Sequence, residues 1–321
     1  MRLKHKITAF FKKNVTKDSA ANTQVKLDEL QKKHESLQQE FSALKSTNHY
    51  YNYLSNRYQM MAKALQNEVF GPPEWPPSPK KKLTDGEIQA FTSNGESVMT
   101  FDYKDLRSPK NYALIYTDEE IDHLIAKIQK QMSIEPGKRD PYHWHIYGSL
   151  DGHVSDALQD FRITGQDVLN IGSMTPWYEA MLIYFNNHPV TVDYNKIILK
   201  TKRMSFLTTE EFNNDPRRFN VSFSISSFEH DGLGAYGDPL NPNADIDSMN
   251  FLKQKVVKNG LLFLAVPIGK DRIDFNHARI YGQKRFPKLI KGWEIIKTYG
   301  LTPNLWESRG DNQPLFVLKN Q

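Results

Sequence analysis

The second half of the chain alternates short apolar segments with helical patterns, and this alternation limits the possible folds more than any other feature. Strands are predicted at residues 168–173, 189–195, 218–228, 260–269, 293–299 and 314–318. Strands that are apolar on both faces need helices on both sides of the sheet. The sequence therefore predicts an α/β domain with a doubly wound, mostly parallel, Rossmann-like sheet.

Helical patterns lie between and before these strands. One follows the first strand from Pro176 to Tyr184, and another covers residues 247–257. A third covers residues 118–132 and begins with the acidic run DEE, which the helix dipole favours at an N-terminus. In a parallel sheet the ligand crevice lies at the carboxyl ends of the strands, so the loops after the strands are where chemistry is expected.

The N-terminal 22 residues form a basic arm. A short amphipathic helix would place Leu3, Ile7, Phe10 and Phe11 on one face, with lysines on the others. Such an arm can make weak contact with an anionic membrane surface, or it can remain solvated.

Residues 23–70 are predicted to form a coiled-coil helix. Six heptad d positions are apolar or aromatic, namely Leu30, Leu37, Leu44, Tyr51, Tyr58 and Leu65. A stripe that repeats every 3.5 residues is buried by supercoiling with another helix, so residues 24–69 are expected to join copies of the chain into a homo-oligomer. The alternative is a long helix that folds back onto the domain.

Residues 71–83 form a proline-rich linker that cannot be helical. The catalytic-sized domain then spans residues 84–321, with its core at about 112–321, and residues 83–110 receive no assignment. The whole chain thus reads as arm, coiled-coil helix, linker and α/β domain.

Composition excludes several classes of function. The chain has no cysteine, so disulfides, thiolate metal sites and cysteine nucleophiles are excluded. No apolar stretch reaches the length of about 18 residues that a membrane-spanning helix needs. The net charge is +5, but the first 33 residues hold nine Lys or Arg and three Asp or Glu. No basic face remains on the domain, so no nucleic-acid partner is expected, and the expected location is cytoplasmic, peripheral to a membrane if the arm binds one.

A candidate nucleoside site follows the first two strands. Gly172 after the first strand lets a ligand approach the backbone closely, and Asp193 ends the second strand, where a carboxylate can accept both ribose hydroxyls. Ser173, beside the glycine, and Ser227, after the third core strand, are assigned to the same site. The alternative is an ordinary strand-to-helix turn and a solvated carboxylate.

Longer motifs resemble a known family. The successive segments VLNIGSMTPWYEAML, PVTVDYN and VVKNGLLFLAVPIG are similar to motifs of class I S-adenosylmethionine-dependent methyltransferases. The strings SFEHDGLGAYGDPLNPNADIDSM, FLAVPIGKD and HARIYG resemble the domain of unknown function 268 family over residues 142–321. This resemblance implies a class I methyltransferase-like fold and S-adenosylmethionine as cofactor. The first motif departs from the methyltransferase pattern, because Asn170 replaces its acidic residue and Met174 and Pro176 replace its second and third glycines.

The loop after the third core strand is the candidate acceptor site. Methyl transfer to a hydroxyl needs alignment and a base, so His230 is assigned as general base, with His277 as second choice and Asp231 as a further catalytic residue. Arg279 and Tyr281 are assigned to substrate binding. Each of these residues could instead only tether the loop.

The acids of that loop also permit a metal site. Glu229, Asp231 and Asp238 could coordinate Mg²⁺ or Ca²⁺, because hard cations take carboxylate oxygens.

The function expected is therefore an S-adenosylmethionine-dependent O-methyltransferase acting on a glycan or small polar acceptor. The alternative is a catalytically silent methyltransferase-like domain that acts as an oligomeric binding or scaffold protein. A nicotinamide-dependent oxidoreductase ranks last, because one glycine of its fingerprint is present.

Overall fold

A computed structural model describes residues 72–135, 138, 139, 144, 146–310 and 312–321. The predicted arm and coiled-coil helix lie outside these residues. The chain divides into two compact units, Met1–Pro73 and Glu74–Gln321, and every element below belongs to the second. Within the described residues, none of the helices combines the length and the apolarity needed to cross a membrane.

The helices and strands follow each other in an order typical of α/β domains. The helices are α1 (Asp85–Phe91), α2 (Asp118–Met132), α3 (Ser149–Asp160), α4 (Trp177–Tyr184), α5 (Thr209–Asn214), α6 (Ala244–Lys255) and α7 (Phe286–Leu289). The strands are β1 (Val98–Phe101), β2 (Ala113–Thr117), β3 (Asp167–Ile171), β4 (His188–Asp193), β5 (Lys196–Lys200), β6 (Ser205–Thr208), β7 (Phe219–Ile225), β8 (Val256–Ala265), β9 (Arg272–Phe275), β10 (Ala278–Ile280), β11 (Trp293–Tyr299) and β12 (Leu315–Asn320). Two 3₁₀ turns cover Phe228–His230 and Pro303–Glu307.

Seven strands form the central sheet, in the order β6-β4-β3-β7-β8-β12-β11. The five strands from β6 to β8 pair in parallel, whereas β12 is antiparallel to both of its neighbours. From β3 the chain builds outward through β4 and β6, then returns to β7 on the other side of β3. The predicted α/β domain with a mostly parallel sheet is confirmed. The direction in which successive strands are added to the sheet reverses between β3 and β7.

Both faces of the sheet are covered, because neighbouring residues of each strand point to opposite sides. On one face Val168, Phe223 and Phe263 pack with α2, α3 and α4, and the Phe223 and Phe263 rings stack at 4.5 Å. On the other face Leu169 and Leu262 pack with α5, α6 and α7. Burial of each such side chain contributes roughly 1.5–3 kcal/mol, so the two layers anchor the strand ends that carry the loops.

Helix α2 has the bounds that the sequence predicts. Its N-cap Thr117 accepts a hydrogen bond from the Glu120 N–H at 3.1 Å, and the acidic residues of the DEE run occupy its first turn. In its apolar stripe Ile121, Leu124 and Ile128 are buried.

Several predicted boundaries differ by a few residues, and the largest difference is at the junction of α6 and β8. The helix predicted at 247–257 runs from Ala244 to Lys255, and Val256 already belongs to β8, where it pairs with Phe219 and is buried. β-Branched residues with a buried partner favour the strand over the helix. The strand predicted at 260–269 therefore begins earlier and ends at Ala265.

The unassigned region 83–110 contains α1 and β1. Thr84 and Glu87 form a capping box that starts α1. Strand β1 pairs in parallel with β9 in a three-stranded sheet, β1-β9-β10, and β2 and β5 form a further parallel pair. These additions lie outside the apolar segments that predict the main sheet.

The proline-rich segment packs on the domain from Glu74 onward. Residues 72–82 contain no helix, as predicted. The Lys110 N–H donates to the Glu74 carbonyl at 2.8 Å, and the Glu74 N–H donates to Asn111 Oδ1 at 2.9 Å. This part of the predicted linker is thus attached to the domain surface.

Candidate functional site

Two loops meet at the carboxyl ends of the central strands. We call residues 172–176, after β3, the β3 loop, and residues 226–243, after β7, the β7 loop. Gly172 has a φ of +82°, and a Cβ on it would lie 2.7 Å from Ser227 Oγ. Only glycine suits both the left-handed backbone and this close approach. The β3 and β7 loops are therefore in contact where the strand order reverses, which is where an open α/β sheet is expected to have its ligand crevice.

Asp193 joins this crevice from the end of β4. Its Oδ2 accepts the Ser173 N–H at 2.7 Å, and its Oδ1 accepts the Asn195 N–H at 2.6 Å. Burial raises the pKa of Asp193, although these two backbone hydrogen bonds oppose the rise. Each carboxylate oxygen keeps a second lone pair, which suits hydroxyl donors. The structure thus brings together Gly172, Ser173, Asp193 and Ser227, the four residues predicted for the nucleoside site.

A tyrosine that the sequence did not indicate supports the β3 loop. Tyr116, from β2, donates to the Ser173 carbonyl at 3.0 Å and lies 3.0 Å from Ser173 Oγ. Its hydroxyl is buried, and burial raises its pKa. Met174, which stands where the methyltransferase pattern has its second glycine, is 61% exposed. Its side chain points to solvent and does not pack into the domain.

A buried acid lies beneath the same loop. Glu179, in α4, is 0% exposed, and its Oε1 accepts hydrogen bonds from Asn170 Nδ2 at 2.9 Å and Thr191 Oγ1 at 2.8 Å. Within the described residues its Oε2 has no hydrogen-bond partner. Burial raises the pKa of Glu179, and the Ser173, Thr191 and Asn170 side chains oppose the rise. The one sequence signal for it is an acid in an otherwise apolar helix, WYEAMLIY.

His230 lies in the β7 loop with a defined orientation. Its Nδ1 is 2.6 Å from the His277 carbonyl oxygen. A carbonyl can only accept, so Nδ1 carries the proton, and the neutral imidazole keeps its lone pair on Nε2. Glu229 Oε1 lies 3.7 Å from that Nε2. His230 thus has the tautomer that a general base acting at Nε2 requires.

Glu229 is buried beside this histidine. It is 1% exposed, and its Oε1 accepts the Ser226 hydroxyl at 2.6 Å. Gln313 Nε2 in turn donates to Ser226 Oγ at 3.0 Å. Burial raises the pKa of Glu229, and the neighbouring His230 opposes that rise. A carboxyl group at this position can stabilise an imidazolium that forms on His230.

His277 faces His230 across the crevice. The two rings are 5.3 Å apart, and His277 Nδ1 lies 3.6 Å from Asp102 Oδ2. Burial is the main cause that lowers the pKa of His277, and His230 adds to it. Asp102 comes from the region after β1, which no sequence pattern linked to the site.

Two tyrosines complete the wall of the crevice. The Tyr236 ring lies 5.5 Å from the His230 ring in an edge-on arrangement, and burial raises the pKa of Tyr236 to about 12. Burial also raises the pKa of Tyr147, which interacts with Ser226. Neither tyrosine was indicated by the sequence motifs.

Arg279 and Tyr281 occupy scaffold positions instead of the predicted substrate positions. Both are 0% exposed. The Arg279 guanidinium donates to the carbonyls of Asp231 and Asn241, and the Tyr281 hydroxyl donates to Asp245 Oδ2 at 3.0 Å. Their polar groups thus hold the β7 loop in shape, and neither side chain faces the crevice.

The predicted metal site is not assembled. Glu229 bonds to Ser226, Asp231 accepts the Ser248 hydroxyl at 2.6 Å, and Asp238 Oδ2 accepts the Gly234 N–H at 3.1 Å. Across the described part of the chain no group of three or more His, Cys, Asp or Glu is arranged to hold a metal ion. The three carboxyl groups serve separate local contacts. Burial raises the pKa of Asp231 to about 7.

The β7 loop also carries the string that resembles the domain of unknown function 268 family. Residues 165–306 match the DUF268 family model. The model is described as Caenorhabditis protein of unknown function, DUF268, and the resemblance predicted from the sequence is confirmed over this segment. The DUF268 segment contains β3 to β11 and therefore both loops of the crevice. No curated protein matches the chain.

Solved structures similar to this chain include several methyltransferases. The Burkholderia thailandensis 1,6-didemethyltoxoflavin-N1-methyltransferase, solved with 1,6-didemethyltoxoflavin and S-adenosylhomocysteine, has a TM-score of 0.41 and 12% identity over 68% of this chain and 98% of that one. An S-adenosylmethionine-dependent methyltransferase from Clostridium acetobutylicum has a TM-score of 0.38 and 8% identity over 63% of this chain and 98% of that one. The N-methyltransferase NodS from Bradyrhizobium japonicum has a TM-score of 0.35 and 9% identity over 54% and 97%.

Proposed function

We propose that Glu74–Gln321 is an S-adenosylmethionine-dependent methyltransferase that methylates a hydroxyl group of a neutral glycan or small polar acceptor. One observation carries the proposal. Ser227 Oγ lies 2.7 Å from where a Cβ on Gly172 would be, so the loop with nucleoside-site residues and the loop with His230 touch at the carboxyl ends of the strands. An acceptor bound there would then have both the donor and the base within reach.

The sheet supports the same fold assignment. Its order, with the antiparallel β12 between β8 and β11, is compatible with the class I methyltransferase-like fold that the sequence resemblance implies. The DUF268 match covers the segment with both loops. The crevice lies at the topological switch point, where nucleotide-type ligands bind in open α/β sheets.

The residues present are compatible with S-adenosylmethionine. Gly172 lets the β3 loop pass close to Ser227, Asp193 retains lone pairs for ribose hydroxyls, and Glu179 has an unpartnered buried oxygen among the described residues. When bound, the cofactor supplies an electrophilic methyl group, whose bond to sulfur breaks with the electron pair left on sulfur as the bond to the acceptor oxygen forms. Gly172, Ser173, Asp193 and Ser227 would hold it.

His230 supplies the proton acceptor. Its Nδ1–H is fixed on the His277 carbonyl, which leaves the lone pair of the neutral ring on Nε2. Nε2 takes the proton of the acceptor hydroxyl as its oxygen becomes bonded to carbon, and Glu229 stabilises the resulting imidazolium. This requires no metal ligand from the β7 loop.

The side chains around the histidines favour a neutral acceptor. Arg279 is buried in the scaffold, and Lys104 Nζ lies 3.0 Å from Asp102 Oδ1, which neutralises it. Tyr236, Tyr147 and Ser226 offer aromatic surface and uncharged hydrogen-bonding groups. Such a surface suits a polyhydroxylated ring better than a phosphate or carboxylate group.

The test is transfer of an isotopically labelled methyl group from S-adenosylmethionine to a panel of neutral saccharides and polyols, with His230→Ala and His123→Ala in parallel. His123 is exposed in α2 and serves as the matched control. We expect methylated products with the full chain and with His123→Ala, and none above background with His230→Ala. Binding of the cofactor without transfer to any acceptor in the panel would favour the silent scaffold.

A further inference from the structure

A short segment after β1 joins the two parts of the domain that carry the histidines of the candidate site. We call residues 102–106 the bridging segment, and it contains no helix or strand. The Asp102 N–H donates to the Phe275 carbonyl at 2.6 Å, and the Leu106 N–H donates to the Ala235 carbonyl at 2.8 Å. The segment is thus bonded at one end to β9, beside the turn with one histidine, and at the other to the β7 loop, which carries the second.

Asn276 holds the middle of the bridging segment. Its Oδ1 accepts the Lys104 N–H at 2.8 Å, and its Nδ2 donates to the Lys104 carbonyl at 3.0 Å. The Asn276 side chain is 0% exposed, so its polar atoms are withdrawn from water and paired with the main chain. An amide offers a donor and an acceptor side by side, as a neighbouring strand does. An apolar side chain of the same size would leave both main-chain groups of Lys104 without this partner.

The position of Asn276 in the chain connects this contact with the proposed base. The turn between β9 and β10 consists of Asn276 and His277. The His277 carbonyl oxygen lies 2.6 Å from His230 Nδ1, and this contact places the proton on Nδ1 and the lone pair on Nε2. The tautomer of a neutral imidazole follows from the hydrogen bond that one of its nitrogens makes. The turn that Asn276 anchors therefore carries the group that selects the tautomer of His230.

We infer that Asn276 is a positioning residue: by binding the bridging segment it fixes the His277 carbonyl that determines the tautomer of His230. This inference rests on the proposed function, in which His230 Nε2 takes the proton of the acceptor. The bridging segment precedes residues 165–306, the part of the chain that matches the DUF268 family. An ordered base therefore requires residues of the domain that lie outside the family match.

The experiment is a nuclear magnetic resonance measurement on the full-length protein with ¹⁵N-labelled histidine, in which the shifts of the ring nitrogens distinguish the two N–H forms. The His230 signals are identified by their loss in His230→Ala. We expect the Nδ1–H form in the wild-type protein. Asn276→Ala should give a mixture of both N–H forms, because the His277 carbonyl is no longer held against the ring.

Asn320→Ala is the matched control for the loss of a buried asparagine. Asn320 is 5% exposed, and its Nδ2 donates to the carbonyls of Lys253 and Val256. It ends β12, whose first residue, Leu315, pairs with the carboxyl end of β8, so it lies at the opposite edge of the sheet from the candidate site. We expect Asn320→Ala to leave the tautomer of His230 unchanged.

Kinetics separate positioning of the base from binding of the cofactor. Asn276→Ala should lower kcat for methyl transfer about tenfold, because the base is present but no longer held in one form. Its Kd for S-adenosylmethionine should stay within about twofold of the wild-type value, because the residues proposed to hold the cofactor lie in other loops.

A His230 that keeps the Nδ1–H form in a folded Asn276→Ala variant would overturn the inference, and so would an equal change of tautomer in Asn320→Ala. Both results leave the proposed function intact. If the wild-type protein neither binds S-adenosylmethionine nor transfers its methyl group, the proposed function fails, while the tautomer measurement still shows whether Asn276 fixes His230. Should Asn276→Ala fail to fold, Asn276→Asp decides the same question, because it keeps the acceptor for the Lys104 N–H and loses the donor to the Lys104 carbonyl.

Discussion

His277 and Arg279 are two residues apart in the chain, yet they belong to different parts of the molecule. His277 is partly exposed, and its ring lies 3.6 Å from Asp102 Oδ2 and 5.3 Å from the His230 ring. Arg279 is 0% exposed, and its guanidinium contacts main-chain carbonyls and Asp245. The histidine cluster is partly exposed to solvent, whereas the arginine network is buried and directs most of its hydrogen bonds to the protein's own groups.

The histidine cluster depends on the arginine network for its position. The β7 loop carries His230, and Arg279 holds that loop by the carbonyls of Asp231 and Asn241. Arg285 and Tyr281 share Asp245 with it. The buried network thus determines where His230, the proposed base, lies, and it has no role in the proposed proton transfer itself.

The largest effect expected is on the stability of the arginine network. Arg279→Ala leaves Asp245 with one fewer buried countercharge and leaves the carbonyls of Asp231 and Asn241 without this hydrogen-bond donor. The free energy of unfolding should therefore fall by about 3–5 kcal/mol. Urea unfolding measures this. Arg217→Ala removes an arginine that pairs with Asp215 but is 44% exposed, and it should cost less than about 1 kcal/mol. An equal loss of unfolding free energy in the two variants would contradict the structural role assigned to the buried arginine network.

The pH dependence of stability should come partly from the same network. Burial raises the pKa of Asp231 to about 7, so between its unfolded pKa of about 4 and pH 7 the folded protein binds the proton more tightly than the unfolded chain does. Stability from this group is therefore full below about pH 4 and is lost as the pH rises through about 7. Asp231→Asn should remove that decline, on the order of a few kcal/mol, in unfolding curves taken from pH 4 to pH 8. A decline that survives the substitution would assign it to another group.

Substitution in the histidine cluster should affect activity and not stability, in contrast to substitution of Arg279. His230→Ala is expected to reduce methyl transfer at least about a hundredfold while changing the free energy of unfolding by less than about 1 kcal/mol. Initial rates and urea unfolding of the same samples separate the two effects. A variant that loses stability as Arg279→Ala does would place His230 with the scaffold.

The smallest effect expected concerns the contact between the two loops. Gly172→Ala would put a Cβ 2.7 Å from Ser227 Oγ on a backbone at φ +82°, so cofactor affinity should fall about tenfold. Ser227→Gly in the same chain removes the clash and should restore part of the affinity. Titration of both variants measures it, and an unchanged affinity in Gly172→Ala would separate the β3 loop from the crevice.

The sequence predicted those elements that depend on patterns within a short stretch of the chain. The apolar runs marked the main strands, the DEE run marked the start of α2, and the spacing of Gly172 and Asp193 marked two groups that do meet. The apolar pattern could not show where the antiparallel β12 inserts, because that order depends on pairing between distant segments.

The missed residues depend on contacts between distant parts of the chain. Tyr116 reaches Ser173 across 57 positions, and Asp102 comes from a region without a periodic pattern. Arg279 was assigned to the acceptor because charge alone does not reveal whether a residue's partners are a ligand or the protein's own carbonyls. Burial decides that, and burial follows from the packed fold.

The central claim is that the crevice between the two loops binds S-adenosylmethionine, and calorimetric titration of the full chain, with Asp193→Ala as control, tests it most directly. We predict micromolar binding to the wild-type protein, about −8 kcal/mol, and its loss in Asp193→Ala. A well-folded wild-type protein that shows no binding, or an Asp193→Ala variant that binds as tightly, would contradict the account.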